Sequence, residues 1–179
     1  MASSLFRCIR GPGNSGNDSG PKSATWVVTD GPAGILHPAR GLAEAVGLPV
    51  ELKTVQPRPP WTLLPVTFWP APLLALAPGS ATFAPPWPKL AIGCGWRSIP
   101  YMLEIKRRSN GATFTVQLQD PRIAPSHFDL VVPPEHDALA GPNVVPIVGS
   151  PNNITRAKLD AAARHWQTRY RHLPSPHIA

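Results

Sequence analysis

Short runs of apolar, β-branched and aromatic residues take turns along this chain with stretches whose apolar positions recur every three to four residues. Ala24-Thr25-Trp26-Val27-Val28-Thr29 is rich in β-branched and aromatic residues and predicts a strand, followed by the turn Asp30-Gly31-Pro32-Ala33-Gly34. Leu42, Ala43 and Val46 fall at helical spacing, which predicts a helix over about 36–46, stopped by Gly47. Residues 48–55 read as a second strand, 89–93 as a third, and 98–109 as a helix with Ile99, Met102 and Leu103 on one face. Pro100 is tolerable there because the first turn of a helix needs no amide donor. Strands are predicted at 112–118, 128–132 and 144–148, and a last helix at 155–172. In that helix Leu159, Ala162, Ala163, Trp166, Tyr170 and Leu173 recur every three or four positions. Strands alternating with helices imply a mostly parallel α/β sheet of five to seven strands with helices on both faces. Ligands of such sheets sit beyond the carboxyl ends of the strands.

Two stretches break the rhythm. Residues 11–23, GPGNSGNDSGPKS, have linker composition, so residues 1–23 read as a disordered basic tail and the domain as 24–179. Residues 57–88 form a proline-rich apolar insertion. Within it Trp61, Leu63, Leu64, Val66, Phe68, Trp69, Leu73, Leu74 and Leu76 are apolar, but Pro65, Pro70, Pro72 and Pro78 cut the run. A membrane-spanning helix needs about 20 apolar residues on an unbroken ladder. Short turns, packed on the domain or lying at a membrane surface through 61–77, fit better.

Composition and charge narrow the classes. The chain has 179 residues, 42% of them hydrophobic and 15% charged, with 25 prolines. That is one domain with a real core. Of the net charge of +7, residues 1–22 carry +2 and 156–172, with five basic residues and Asp160, carry +4. Basic charge at the two ends differs from the aromatic-interleaved basic stripe of a nucleic-acid binder, so nucleic acid is not the expected partner. Cys8 and Cys94 point to a reduced, cytoplasmic compartment, and no His or Cys pair has zinc-ligand spacing. The serine-rich tail is compatible with an organellar presequence or a plain overhang.

Four strand-end loops could carry chemistry. Asp30–Gly34 could bring Gly31 and Gly34 amides to an anion, or be an ordinary turn into a helix. Gly93-Cys94-Gly95-Trp96-Arg97-Ser98 offers Arg97 and first-turn amides, while Ser98 could serve as a helix cap instead. Gln117 and Gln119 should share a face by the two-residue period, with Asp120 and Arg122 at the edge. That cluster suits a polyhydroxylated ligand, or is an Asp-Pro turn with a local Asp–Arg pair. Pro134-Glu135-His136-Asp137 sets a residue that titrates near neutrality between two carboxylates, either an acid–base site or three solvated loop residues.

TDGPAGILHPARGLAEAVGLP, PPWPKLAIGCGWRSIPYMLEIKRRS, FTVQLQDPR and FDLVVPPEHDALAGPNVVPIVGS resemble, in order, the blocks of the mitochondrial-fission family of GT-B glycosyltransferases, whose plant member is the elongated-mitochondria protein. The resemblance runs from about Thr25 to Ala179 and is most specific at Gln119-Asp120-Pro121-Arg122 and Glu135-His136-Asp137. It implies a Rossmann-like N-terminal domain that holds the acceptor, with the nucleotide-sugar bound by a C-terminal donor domain that should start where this chain stops. It also implies an acceptor side lined by Gly31, Gly34, Arg97, Ser98, Gln119, Asp120, Arg122, Glu135 and His136. Catalysis would fall to His136, Glu135 or Asp120, with no cofactor and no metal. His37-Pro38 and Trp96 depart from the family pattern, which favours Asn or Gln and a basic residue at those places. Three functions follow as expectations. One is an acceptor-side half, inactive alone, that meets a saccharide or lipid-linked acceptor at a membrane. The second is a non-catalytic module recruiting a dynamin-like fission protein, and the third a truncated gene product.

Overall fold

The computed structural model describes residues 25–172. Expectations for the N-terminal tail, Cys8 and Leu173 lie outside them. Five strands form one all-parallel sheet in the order β2-β1-β3-β4-β5: β1 (Thr25–Thr29), β2 (Val50–Thr54), β3 (Leu90–Cys94), β4 (Phe114–Leu118) and β5 (Leu130–Val132). Three helices accompany it, α1 (Ala33–Val46), α2 (Ile99–Arg108) and α3 (Arg156–Tyr170). This is the expected Rossmann-like α/β arrangement, and the strand order reverses direction between β1 and β3.

The two-residue period sorts the core into two layers. Trp26, Val28, Ala91 and Val131 turn to one face, where Ile99, Tyr101, Met102 and Ile105 of α2 cover them. Val27, Leu90, Ile92, Cys94, Val116, Leu118, Leu130 and Val132 turn to the other, beneath Ala39 and Ala43 of α1. Burial on both faces explains why β1 and β3 are nearly continuous apolar runs. The proline-rich insertion forms three short 3-10 turns, Trp61–Leu63, Val66–Phe68 and Pro72–Ala75. They close the first layer, with Trp69 edge-on to Tyr101 and Phe83 stacked on it.

Several local expectations are corrected. α1 begins at Ala33 rather than 36, which leaves Pro38 inside the helix instead of in its first turn. Residues 144–148 are not a regular strand. They make isolated parallel bridges, Val131 with Val144 and Pro134 with Ile147, because Pro146 has no amide to continue a ladder. The apolar stripe of α3 exists, but no residue of that helix is buried. Among the described residues no helix is long and apolar enough to cross a membrane.

Candidate functional site

Parallel strands place all five carboxyl ends at one edge, and side chains tie the loops there into a row. At the reversal between β1 and β3, Arg97 Nη1 donates to Asp30 Oδ2 at 3.3 Å. Between β3 and β4, the Gln117 amide nitrogen reaches the Gly95 carbonyl at 3.5 Å and Ser98 Oγ at 3.4 Å. Between β4 and β5, the Asp120 amide donates to Asp137 Oδ2 at 3.3 Å. The two loops most specific to the family resemblance therefore meet.

Backbone geometry marks the same edge. Gly95 sits at φ +83, ψ 155, a region open essentially to glycine alone. Gln119 at φ 70, Arg122 at φ 55 and Ala138 at φ 51 are left-handed without being glycine. Such residues cost roughly 1 kcal/mol or more each and persist where the surroundings hold them. Here the hold on Arg122 is visible: its amide donates to Asp120 Oδ1 at 2.7 Å, so the Asp-Pro turn is real and the carboxylate shapes it. The left-handed turn at Gln119 also corrects the expectation that Gln117 and Gln119 share a face. Gln117 is buried in the sheet and Gln119 is exposed.

Two polar atoms at the strand reversal stand without a partner. Asp30 Oδ1 and Arg97 Nε are buried and make no hydrogen bond, although the two side chains pair through other atoms. The Asp30 side chain is 10% exposed and that of Arg97 42%. A buried carboxylate oxygen that accepts no hydrogen bond is costly, and a ligand hydroxyl donating to it would relieve the cost. Sequence reasoning named the Asp30 loop for its glycines and passed over the aspartate. The available signal was an acidic residue directly after an apolar strand.

A cleft of about 370 Å³ opens on this edge, lined by Gln119, His136, Ile147, Gly149 and Ser150 among others, with Pro38 of α1 as one wall. His136 Nε2 lies 3.6 Å from Asp137 Oδ1 and its side chain is 81% exposed, so it faces solvent beside the cleft. Glu135 is exposed too, and its amide bonds the Ile147 carbonyl. The remaining expected residues are more dispersed. Gly31 is exposed at φ +105, and Gly34 is exposed in the first turn of α1. Ser98 is fully buried and makes no cap bond. Its hydroxyl donates to the Gly95 carbonyl at 2.7 Å and so steadies the loop from within. Cys94, at the end of β3, is buried, which pushes its thiol up to about 12 and leaves it no nucleophile near neutral pH. Among the described residues no three His, Cys, Asp or Glu side chains group as metal ligands do.

The fold and edge define a Rossmann-like α/β domain with a polar site at the carboxyl ends of its strands. A family model described as mitochondrial fission ELM1 matches residues 33–179, and the chain belongs to that family. The mitochondrial fission protein ELM1 of Arabidopsis thaliana is similar, at 28% identity over 118 residues. The match covers 53% of this chain and 28% of that relative, so the chain spans well under two thirds of the relative's length. No solved structure matches the chain.

Proposed function

We propose that this chain is the acceptor-side domain of a nucleotide-sugar-dependent glycosyltransferase, with the donor held by a second domain. The supporting observation is the row of contacts Asp30–Arg97, Gly95–Gln117 and Asp120–Asp137 along one strand edge, beside a cleft with His136 at its rim. The unpartnered Asp30 oxygen suits a sugar hydroxyl, and Arg97 suits a second oxygen of the same ligand. In the transfer, His136 takes the proton of the acceptor hydroxyl as that oxygen bonds the anomeric carbon. The nucleoside diphosphate leaves with the electron pair of the broken glycosidic bond. Asp137, with Oδ1 3.6 Å from the histidine Nε2, would stabilise the imidazolium that forms.

Saturation-transfer NMR of the 179-residue chain with a panel of neutral oligosaccharides and nucleotide-sugars tests the reading. Saccharides should bind, Arg97→Ala and Asp120→Ala should weaken them about tenfold or more, and no nucleotide-sugar should turn over. Equal binding by the variants, or none by the wild type, overturns the acceptor site. Turnover above that of Asp120→Ala overturns the division of labour between domains.

A second reading is a non-catalytic module that recruits a dynamin-like fission protein. The name of the Arabidopsis relative speaks of mitochondrial fission, and the α3 stripe of Leu159, Trp166 and Tyr170, which stays exposed, offers a surface for a partner. Capture of a purified dynamin-like protein by wild type, lost on Trp166→Ser/Tyr170→Ser, would support it over the first.

A further inference from the structure

The crossover between β2 and β3 divides its apolar residues in two. Trp61, Val66, Trp69, Leu73, Ala75 and Leu76 pack on the core. Leu63 at 83% exposure, Phe68 at 71%, Leu74 at 69% and Leu64 at 41% point away from it. A buried set this large shows that the segment is folded onto the domain, so the outward set is not a stretch awaiting collapse.

The outward residues are held together. Arg58 donates its amide to the Ala75 carbonyl at 2.9 Å and its Nη2 to the Leu74 carbonyl at 3.0 Å. The Arg58 carbonyl accepts from the Trp61 amide, which starts the turn bearing Leu63 and Leu64. Trp69 Nε1 donates to the Leu64 carbonyl at 3.2 Å, which joins that turn to the one bearing Phe68. Three rigid turns therefore present four large apolar side chains with little order left to lose on binding. Pro57, Pro59, Pro60, Pro65, Pro70 and Pro72 remove backbone donors that would otherwise need partners in an apolar medium.

Charge selects the medium. From residue 52 to residue 103 the sequence has no Asp or Glu, while Lys53, Arg58, Lys89 and Arg97 fall within the stretch. Of these cations Arg58 stands among the turns, exposed, its guanidinium fastened over Leu74. An apolar tip with a cation beside it, on a stretch of sequence that carries no acid, complements an anionic lipid surface.

We propose that residues 58–74 are a membrane-docking edge: Leu63, Leu64, Phe68 and Leu74 enter the interfacial layer of an anionic bilayer, and Arg58 meets its headgroups. The insertion is shallow, because irregular backbone is confined to the interface. It stands independently of any saccharide site.

Flotation of the full chain with phosphatidylcholine vesicles, with and without phosphatidylglycerol, tests it. Wild type should float with the anionic vesicles and release at high salt. Leu63→Ser/Phe68→Ser/Leu74→Ser should cut the bound fraction at least tenfold at an unchanged melting temperature, and Arg58→Gln should weaken binding about fivefold. In Phe68→Trp, bromine-labelled lipid should quench the new indole. No flotation of the wild type, equal flotation of the triple variant, or no quenching in Phe68→Trp overturns the proposal. So does a dimer in light scattering that the triple variant abolishes without any lipid binding, which would give the patch to a second copy.

Discussion

Gly41 lies in the middle of α1, where alanine is ordinarily the better residue by about 1 kcal/mol. The structure reverses that expectation. A methyl group on Gly41 would sit 2.5 Å from the carbonyl carbon of Asn152, 2.7 Å from its oxygen and 2.9 Å from the Asn153 nitrogen. All three are backbone atoms, so no rotamer change relieves the contact. The opposing segment is fastened as well. Asn152 Oδ1 accepts from the Ile154 amide at 3.0 Å, and Lys158 bonds the Asn153 carbonyl at 2.8 Å while pairing with Glu44 of α1 at 3.5 Å. Overpacking of this kind costs about 1–3 kcal/mol. Set against the helical gain of about 1 kcal/mol, Gly41→Ala should lose about 1 kcal/mol net. For a chain of this size that lowers the melting temperature by about 2–4 °C. The displaced segment continues from Gly149, Ser150 and Pro151, which line the cleft beside His136, so saccharide binding should weaken in parallel. Gly34→Ala is the control on the same helix. Nothing lies within 4 Å of a methyl there, so stability should hold or rise. Thermal melts by circular dichroism of the three proteins decide the matter. If Gly41→Ala raises the melting temperature as Gly34→Ala does, the close approach of α1 to residues 152–153 is not present and the argument fails.

Two further predictions concern titrating groups. Hydrogen bonds from Arg107, and next from Arg108, outweigh burial and hold the Glu104 carboxyl down at about 2. Its folded value lies below its unfolded one, so the stabilisation is present above about pH 4.5 and is lost as pH falls towards 2. At roughly 1.36 kcal/mol per pH unit the ceiling is about 3 kcal/mol, and solvent around the two arginines reduces it to about 1–2. Urea titrations from pH 6 to about pH 2.5 should show a decline that Glu104→Gln largely removes, and an equal decline in both would contradict it. Cys94, raised to about 12 by burial, should resist maleimide in the folded chain at pH 8 and react on unfolding. Its contribution to stability should fall as pH climbs from about 9 towards 12, since the unfolded thiol ionises first.

Much of the architecture was legible in the sequence because two local properties carry it. Alternation in Trp26-Val27-Val28 and Leu90-Ala91-Ile92 assigns side chains to opposite faces without reference to partners, and parallel order follows from the interleaved helices. The carboxyl-edge position of Arg97, Asp120 and His136 follows from the same rule, since each ends or follows a strand.

Tertiary structure decided what depends on atoms distant in the chain. Ser98 was equally a cap or a ligand group until Gly95 and Gln117 enclosed it. Gln119 left the face of Gln117 because the chain turns left-handed there to bring the Asp120 amide to Asp137, seventeen residues on. Asp30 and Arg97 became a pair only when the strand order reversed between β1 and β3. The inward and outward sets of the 61–76 segment are both apolar, so hydrophobicity alone did not separate Trp69 from Phe68. Contact with Tyr101 did, because burial belongs to the packed layer and not to the residue type.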